Sequence, residues 1–140
     1  MITSLNAFKS HPYTQGDVAS LYAITAAFNE LPDKLRVVPA IFALMERCPE
    51  ADLGTPGPLV HALESLGIPA YEAQLAESVR RRPMYTNVGM VTSILNVERD
   101  PVRRGKWIKL LREACVHPAA ADTIEQISRY FAGRAIPVVE

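Results

Sequence analysis

The chain has 140 residues, of which 49% are apolar and 21% are charged, and its 15 basic residues balance 15 acidic ones. This composition excludes intrinsic disorder, and the length is that of one ordinary domain. No apolar run approaches the roughly 18 residues of a membrane span, no secretory signal is visible, and two cysteines are too few for a disulfide framework. We therefore expect one soluble, cytoplasmic domain over residues 1–140, in which 1–13 form an N-terminal segment and 134–140 a C-terminal tail.

The first half of the chain predicts three helices. Thr14 is placed to cap the first of them. The second covers residues 33–48, and Pro39 within it predicts a kink or a one-turn break because proline has no backbone donor. A short third helix over 57–66 should end at Gly67, since glycine suits the left-handed position that follows many helices.

The second half of the chain predicts four more helices. Thr86 should cap the second of these four, and Asp100 followed by proline is a typical start of the third. Trp107 lies on an apolar stripe and is expected in the core, and Ile124 is expected on the buried side of the last helix. The four helices are predicted over residues 70–82, 86–96, 100–116 and 118–132.

Seven short helices with short connections favour an all-α fold with antiparallel neighbours. From residue 33 onward the helices pair as hairpins: 33–48 with 57–66, 70–82 with 86–96, and 100–116 with 118–132. Each pair covers about 30–37 residues, which is near the period of HEAT-like helical-hairpin solenoids. Because residue identities do not repeat from pair to pair, a compact irregular bundle remains the alternative architecture.

Motifs for catalysis are missing from the sequence. It contains no phosphate-binding loop, no dinucleotide-binding glycine pattern, no nucleophile elbow and no zinc-protease motif. His61 and Glu64 are three residues apart on one helix and share a face, but a metal needs three or four ligands and no second cluster supplies them. We therefore expect no enzymatic activity, no metal and no cofactor.

Nine basic residues between positions 80 and 112 raise the question of nucleic-acid binding. Three of them are consecutive at the predicted end of a helix, where cations interact favourably with the helix dipole. Arg103 and Arg104 follow Asp100 at three and four residues, a spacing that suits local ion pairs. No nucleic-acid-binding motif is present. The basic residues are therefore interpreted as helix-end and surface charges, and no nucleic-acid partner is expected.

Two stretches of the sequence resemble small all-helical bacterial immunity proteins. One is 52–64, DLGTPGPLVHALE, and the other is 82–96, RPMYTNVGMVTSILN, followed by the helix of Trp107. The resemblance covers roughly residues 30–132. Proteins of this class are encoded beside polymorphic or contact-dependent toxins and neutralise the cognate toxin by binding it. The resemblance implies a cytoplasmic bacterial antitoxin whose partner is the C-terminal domain of a toxin, such as a basic nuclease.

The distribution of charge suggests where such a partner would bind. Residues 1–79 carry four basic and nine acidic residues, whereas residues 80–140 carry eleven basic and six acidic ones. An acidic face would speed the encounter with a basic toxin. The start of the helix capped by Thr86 is expected to lie beside the 57–66 helix. The predicted contact residues are Glu46, Glu50, Asp52, His61, Glu64, Tyr85 and Asn87.

Two other functions stay open on the sequence alone. The first is a helical-repeat adaptor or regulatory module that binds a protein other than a toxin. The second, less consistent with the missing motifs, is an enzyme. A toxin gene immediately upstream would favour the immunity protein over the adaptor.

Overall fold

The computed structural model describes residues 23–47 and 58–134. All regular elements in these residues are helices and none is a strand, so the all-α prediction is confirmed. Contacts divide the chain into two compact units, Met1–Gln74 and Leu75–Glu140. Predictions for the Thr14 cap and for the C-terminal tail lie outside the described residues. None of the described helices is long and apolar enough to cross a membrane.

The first unit begins, in its described part, with helical residues 23–28. A 3₁₀ helix, Lys34–Val37, then leads directly into α1, Val38–Arg47. Pro39 is the second residue of α1, where the backbone N–H has no helical acceptor, so the missing donor of proline does not disturb the helix. The one-turn break that was predicted near Pro39 is the 3₁₀ helix that precedes α1. The buried side chains of this part are Phe28, Val37, Val38, Ile41, Phe42, Leu44 and Met45.

A tight turn joins α2, Pro58–Glu64, to α3, Ile68–Arg81. Gly67 has a φ of 85°, and its N–H donates to the Glu64 carbonyl at 3.1 Å. The predicted left-handed glycine is therefore confirmed. The following helix begins two residues earlier than predicted, because Pro69 fits the first turn of a helix, where no backbone donor is required.

The second unit contains the end of α3 and three further helices, α4 (Tyr85–Val97), α5 (Pro101–Ala114) and α6 (Ala121–Gly133). Each of α4, α5 and α6 contacts the other two, and α4 packs more extensively on α6 than on α5. Trp107, Leu110 and Leu111 of α5 are buried in this unit, as is Phe131 of α6. The core position predicted for Trp107 is confirmed.

Helices α4 and α6 run parallel to each other. Gln126 Nε2 donates to the Tyr85 carbonyl at the start of α4, at 3.0 Å, and the Tyr130 hydroxyl donates to Asn96 Oδ1 near its end, at 3.1 Å. The predicted hairpins paired the last helix, α6, with its neighbour α5. In the structure α6 packs more extensively on α4, which is two helices earlier in the chain. Parallel packing of alternate helices is common to three-helix bundles and to helical-hairpin solenoids.

The buried side of α6 differs from the prediction. Ile124 is 42% exposed, and Thr123 is buried in its place, on a stripe with Ile127 and Phe131. The Thr123 hydroxyl donates to the Ala120 carbonyl at 2.9 Å, so that burying it leaves no donor unpaired.

The connection between α4 and α5 is held by two arginines. Asp100 caps α5 as predicted, with its Oδ2 accepting the Arg103 N–H at 2.9 Å. Arg103 Nε also lies 2.8 Å from Glu98 Oε1, and Arg104 Nη1 donates to the carbonyls of Leu95 (2.6 Å) and Glu98 (3.0 Å). Arg104 reaches the end of α4 because the last carbonyls of a helix need donors.

Candidate partner-binding site

The predicted contact residues do not all lie on the surface. Glu50 and Asp52 fall outside the described residues. Glu46 on α1 is half-buried, whereas His61 and Glu64 on α2 are exposed, as the shared helical face predicted. Two of the three described residues of the acidic segment are therefore accessible from solvent, and their contact with a partner stays a prediction.

Two acidic residues of the first unit lie on either side of the Gly67 turn. Glu64 is the last residue of α2, and Glu72 is in the first turns of α3. Tyr71 of α3 is 4% exposed, and burial, followed by the charges of Glu64 and Glu72, raises the pKa of its hydroxyl. We call His61, Glu64 and Glu72 the acidic corner.

The acidic corner combines charged side chains with buried residues on the same two helices. Leu63 of α2 and Tyr71 of α3 are buried, and helices on both sides of the turn fix the backbone. Glu64 is exposed and forms no ion pair within the described residues. A negative charge held this way is available to a cation on a partner.

Among the described residues, the acidic corner has too few ligands to hold a metal ion. Within residues 23–47 and 58–134, no three or more His, Cys, Asp or Glu side chains are grouped closely enough to hold a metal ion. His61 and Glu64 alone supply two ligands, whereas structural and catalytic zinc sites use three or four. The corner is therefore a charged surface, and what it can do chemically is to attract and bind a cationic group.

Asn87 lies in the interior and not on a contact face. Its side chain has no exposed area, its Oδ1 accepts the Met84 N–H at 2.9 Å, and its Nδ2 donates to the Arg82 carbonyl (2.9 Å) and to Ser78 Oγ (3.1 Å). This corrects the prediction, because a side chain buried with all these bonds cannot touch a partner. The helix also begins at Tyr85, so that Thr86 is inside it and does not cap it.

Tyr85 belongs to the second unit and is 61% exposed. Its carbonyl accepts the side chain of Gln126, which fixes the backbone and leaves the ring at the surface. This exposure is what a contact residue requires. The predicted neighbourhood of Tyr85 and the 57–66 helix stays a prediction.

Sequence reasoning missed a surface cluster at the end of α4 and α6. The Arg134 guanidinium lies 3.8 Å from the centre of the Tyr130 ring, and its Nη2 donates to Asn96 Oδ1 at 2.8 Å. Tyrosine and arginine are the residue types enriched at the centres of protein interfaces. Asn96 and Arg134 are 38 positions apart, and no local pattern in the sequence links them.

No known family, curated protein or solved structure matches the chain.

Proposed function

We propose that the chain is an immunity protein, which neutralises a cognate bacterial toxin by direct contact and uses the acidic corner as part of the contact face. One observation carries the proposal: His61 and Glu64 are exposed on the same helix at a spacing of three residues, and Glu64 forms no ion pair with any residue that the structure describes. The resemblance of residues 52–64 and 82–96 to immunity proteins supports the same function.

The physics of inhibition favours such a surface. A toxin that acts on nucleic acid is expected to carry a basic face, because it must bind phosphates. An acidic surface on the inhibitor accelerates association with that face and disfavours partners of the wrong charge. Tight binding also needs apolar or aromatic anchors, and the exposed ring of Tyr85 is one candidate.

Co-expression is the direct test. The C-terminal domain of the protein encoded beside this gene should kill cells when it is expressed alone and should be harmless together with this chain. The purified pair should form a stoichiometric complex with a dissociation constant of about 1 nM or lower, since free toxin continues to act. Rescue without a detectable complex would contradict the proposal and indicate an enzyme that modifies the toxin or repairs its damage.

Charge reversal locates the contact face. Glu64→Lys alone, and the triple variant that also changes Glu50 and Asp52 to lysine, should slow association and reduce protection while the melting temperature stays nearly unchanged. Glu125→Lys is the matched control, because Glu125 is an exposed helical acid in the other unit and, within the described part of the chain, pairs with Arg129 alone. If the control weakens binding as much as Glu64→Lys, net charge matters and the acidic corner does not.

The adaptor function has its own supporting observation, the cluster of Asn96, Tyr130 and Arg134. An adaptor that binds through this cluster would lose its partner on Arg134→Ala and keep it on Glu64→Lys. An immunity protein that binds through the acidic corner would show the opposite pattern. The two variants in one binding assay therefore separate the two functions.

A further inference from the structure

A hollow of about 330 Å³ lies within the second unit, between the end of α3 and the end of α5. Val79, Leu110 and Ala114 line it, and all three are less than 5% exposed, so its floor is apolar. Val116, in the turn after α5, also lines the hollow and is 84% exposed. The volume is at the lower end of the range typical of sites for small molecules.

Two opposite charges border this apolar floor without pairing with each other. Arg80 and Glu113 both line the hollow, and Arg80 forms no ion pair with any residue that the structure describes. Glu113 has only a loose contact with Lys109, at 4.0 Å between Oε1 and Nζ, and both of these side chains are more than half exposed. Each of the two charges is therefore available to a ligand.

His117 adds a hydrogen-bond donor to the same rim. Its Nδ1 accepts the N–H of Ala119 at 3.0 Å, so this nitrogen carries no proton in the neutral ring. The proton is then on Nε2, which is free to donate. Because His117 lines the hollow, a ligand carboxylate has two donors within the same site, the guanidinium of Arg80 and this imidazole.

We propose that the hollow binds a free α-amino acid with an apolar side chain. The carboxylate would pair with Arg80, the ammonium group with Glu113, and the side chain would cover the apolar floor. A fatty acid would place its carboxylate near the like charge of Glu113. An apolar amine would place its ammonium group near the like charge of Arg80. Only a ligand that carries both charges beside an apolar group complements every part of the site. This inference does not depend on the proposed immunity function.

Matched ligands test the two charges separately. The full chain, labelled with nitrogen-15, is titrated with L-phenylalanine, N-acetyl-L-phenylalanine and L-phenylalaninamide, and amide shifts are followed by NMR. L-phenylalanine should shift the amides of residues around the hollow, with a dissociation constant of about 1 mM, because a small ligand in an open site gains little free energy per atom. Each derivative lacks one charge and should bind about fivefold more weakly, as expected for exposed ion pairs.

Matched variants assign each charge to a residue. Arg80→Gln removes the partner of the carboxylate, so this variant should bind L-phenylalaninamide as well as L-phenylalanine. Glu113→Gln removes the partner of the ammonium group, so this variant should bind N-acetyl-L-phenylalanine as well as L-phenylalanine. Arg82→Gln and Glu125→Gln, which change exposed charges outside the hollow, should leave all three affinities unchanged. Urea unfolding of each variant verifies that the fold is intact.

Four results would overturn the proposal. Equal binding of the three ligands, or no shifts at about ten times the expected dissociation constant, excludes recognition of a zwitterion. Shifts of the hollow's amides that depend only on protein concentration would assign the hollow to a second copy of the chain. Protection of these amides only in a complex with the toxin domain would assign it to a protein partner.

Discussion

Replacing Asn87 with alanine probes the turn between α3 and α4. The substitution removes three hydrogen bonds from a site with no exposed area, those to the Met84 N–H, to the Arg82 carbonyl and to Ser78 Oγ. Each bond contributes about 1 kcal/mol net. The higher helix propensity of alanine stabilises the variant by about 0.5 kcal/mol, whereas the buried groups left without a hydrogen-bond partner destabilise it further. We therefore expect a loss of about 3 kcal/mol in the free energy of unfolding.

Urea unfolding followed by far-UV circular dichroism measures this loss. The midpoint should fall while the slope stays constant, because the surface exposed on unfolding is nearly the same. Asn96→Ala is the matched control: it makes the same change on the same helix, but Asn96 is exposed and its partners are exposed too. The control should cost less than about 1 kcal/mol, as surface substitutions generally do.

A second variant tests whether Asn87 acts with its neighbours. Ser78→Ala removes only one of the three partners, and Nδ2 keeps its bond to the Arg82 carbonyl, so a loss of about 1 kcal/mol is expected. The double variant should cost less than the sum of the two single variants, since the shared bond is lost only once. A loss below about 1 kcal/mol for Asn87→Ala, or one equal to that of the Asn96 control, would refute the reasoning.

Three further predictions follow from the described residues. Gly67→Ala should lower the melting temperature, because an L residue at a φ of 85° costs about 1 kcal/mol. Gly105→Ala should raise the melting temperature, because Gly105 lies in the middle of α5 with open space around it; shifts of the same sign in the two variants would contradict this prediction. Burial raises the pKa of the Cys115 thiol, so at pH 8 alkylation mapped by mass spectrometry should be slower in the folded chain than in urea, and equal rates would contradict it. Burial and nearby carboxylates raise the pKa of Tyr71, so its ring should ionise at higher pH in the folded chain than in urea. Because the folded state holds this proton more tightly, stability should fall as the pH rises past about 10, and a stability that is constant above this pH would contradict the prediction.

Helix boundaries that depend on a few adjacent residues were predictable. Asp100 followed by proline starts α5, and Gly67 ends the turn after α2, because capping and left-handed backbone are local properties. The break near Pro39 has the same origin. These features require only the geometry of one turn, which the sequence contains in full.

Features that depend on tertiary packing were not predictable. Thr123 and Ile124 are adjacent, and only the position of α6 against α4 and α5 decides which of them is buried. The spacing of Arg104 from Asp100 suggested an ion pair, yet the side chain reaches the end of the preceding helix. Asn87 follows a predicted cap and looked exposed, because nothing in the sequence indicates that Ser78 lies within bonding distance of it.

The candidate site was predictable in the same uneven way. His61 and Glu64 share an exposed face because their spacing of three residues is that of one helical turn. The contact of Arg134 with Asn96 depends on the packing of α4 against α6, and spacing along the chain does not indicate it.

The guanidinium of Arg104 also has a consequence for how the second unit opens. The Arg104 side chain, at the start of α5, donates to the carbonyls of Leu95 and Glu98, at the end of α4. Arg99 lies in the connection between these two helices and is exposed. A protease specific for arginine therefore meets an accessible side chain on a backbone segment that is held at both ends. Cleavage after Arg99 requires the end of α4 and the start of α5 to unravel together. Resistance of this bond to trypsin therefore reports a cooperative opening free energy and not merely the exposure of the arginine.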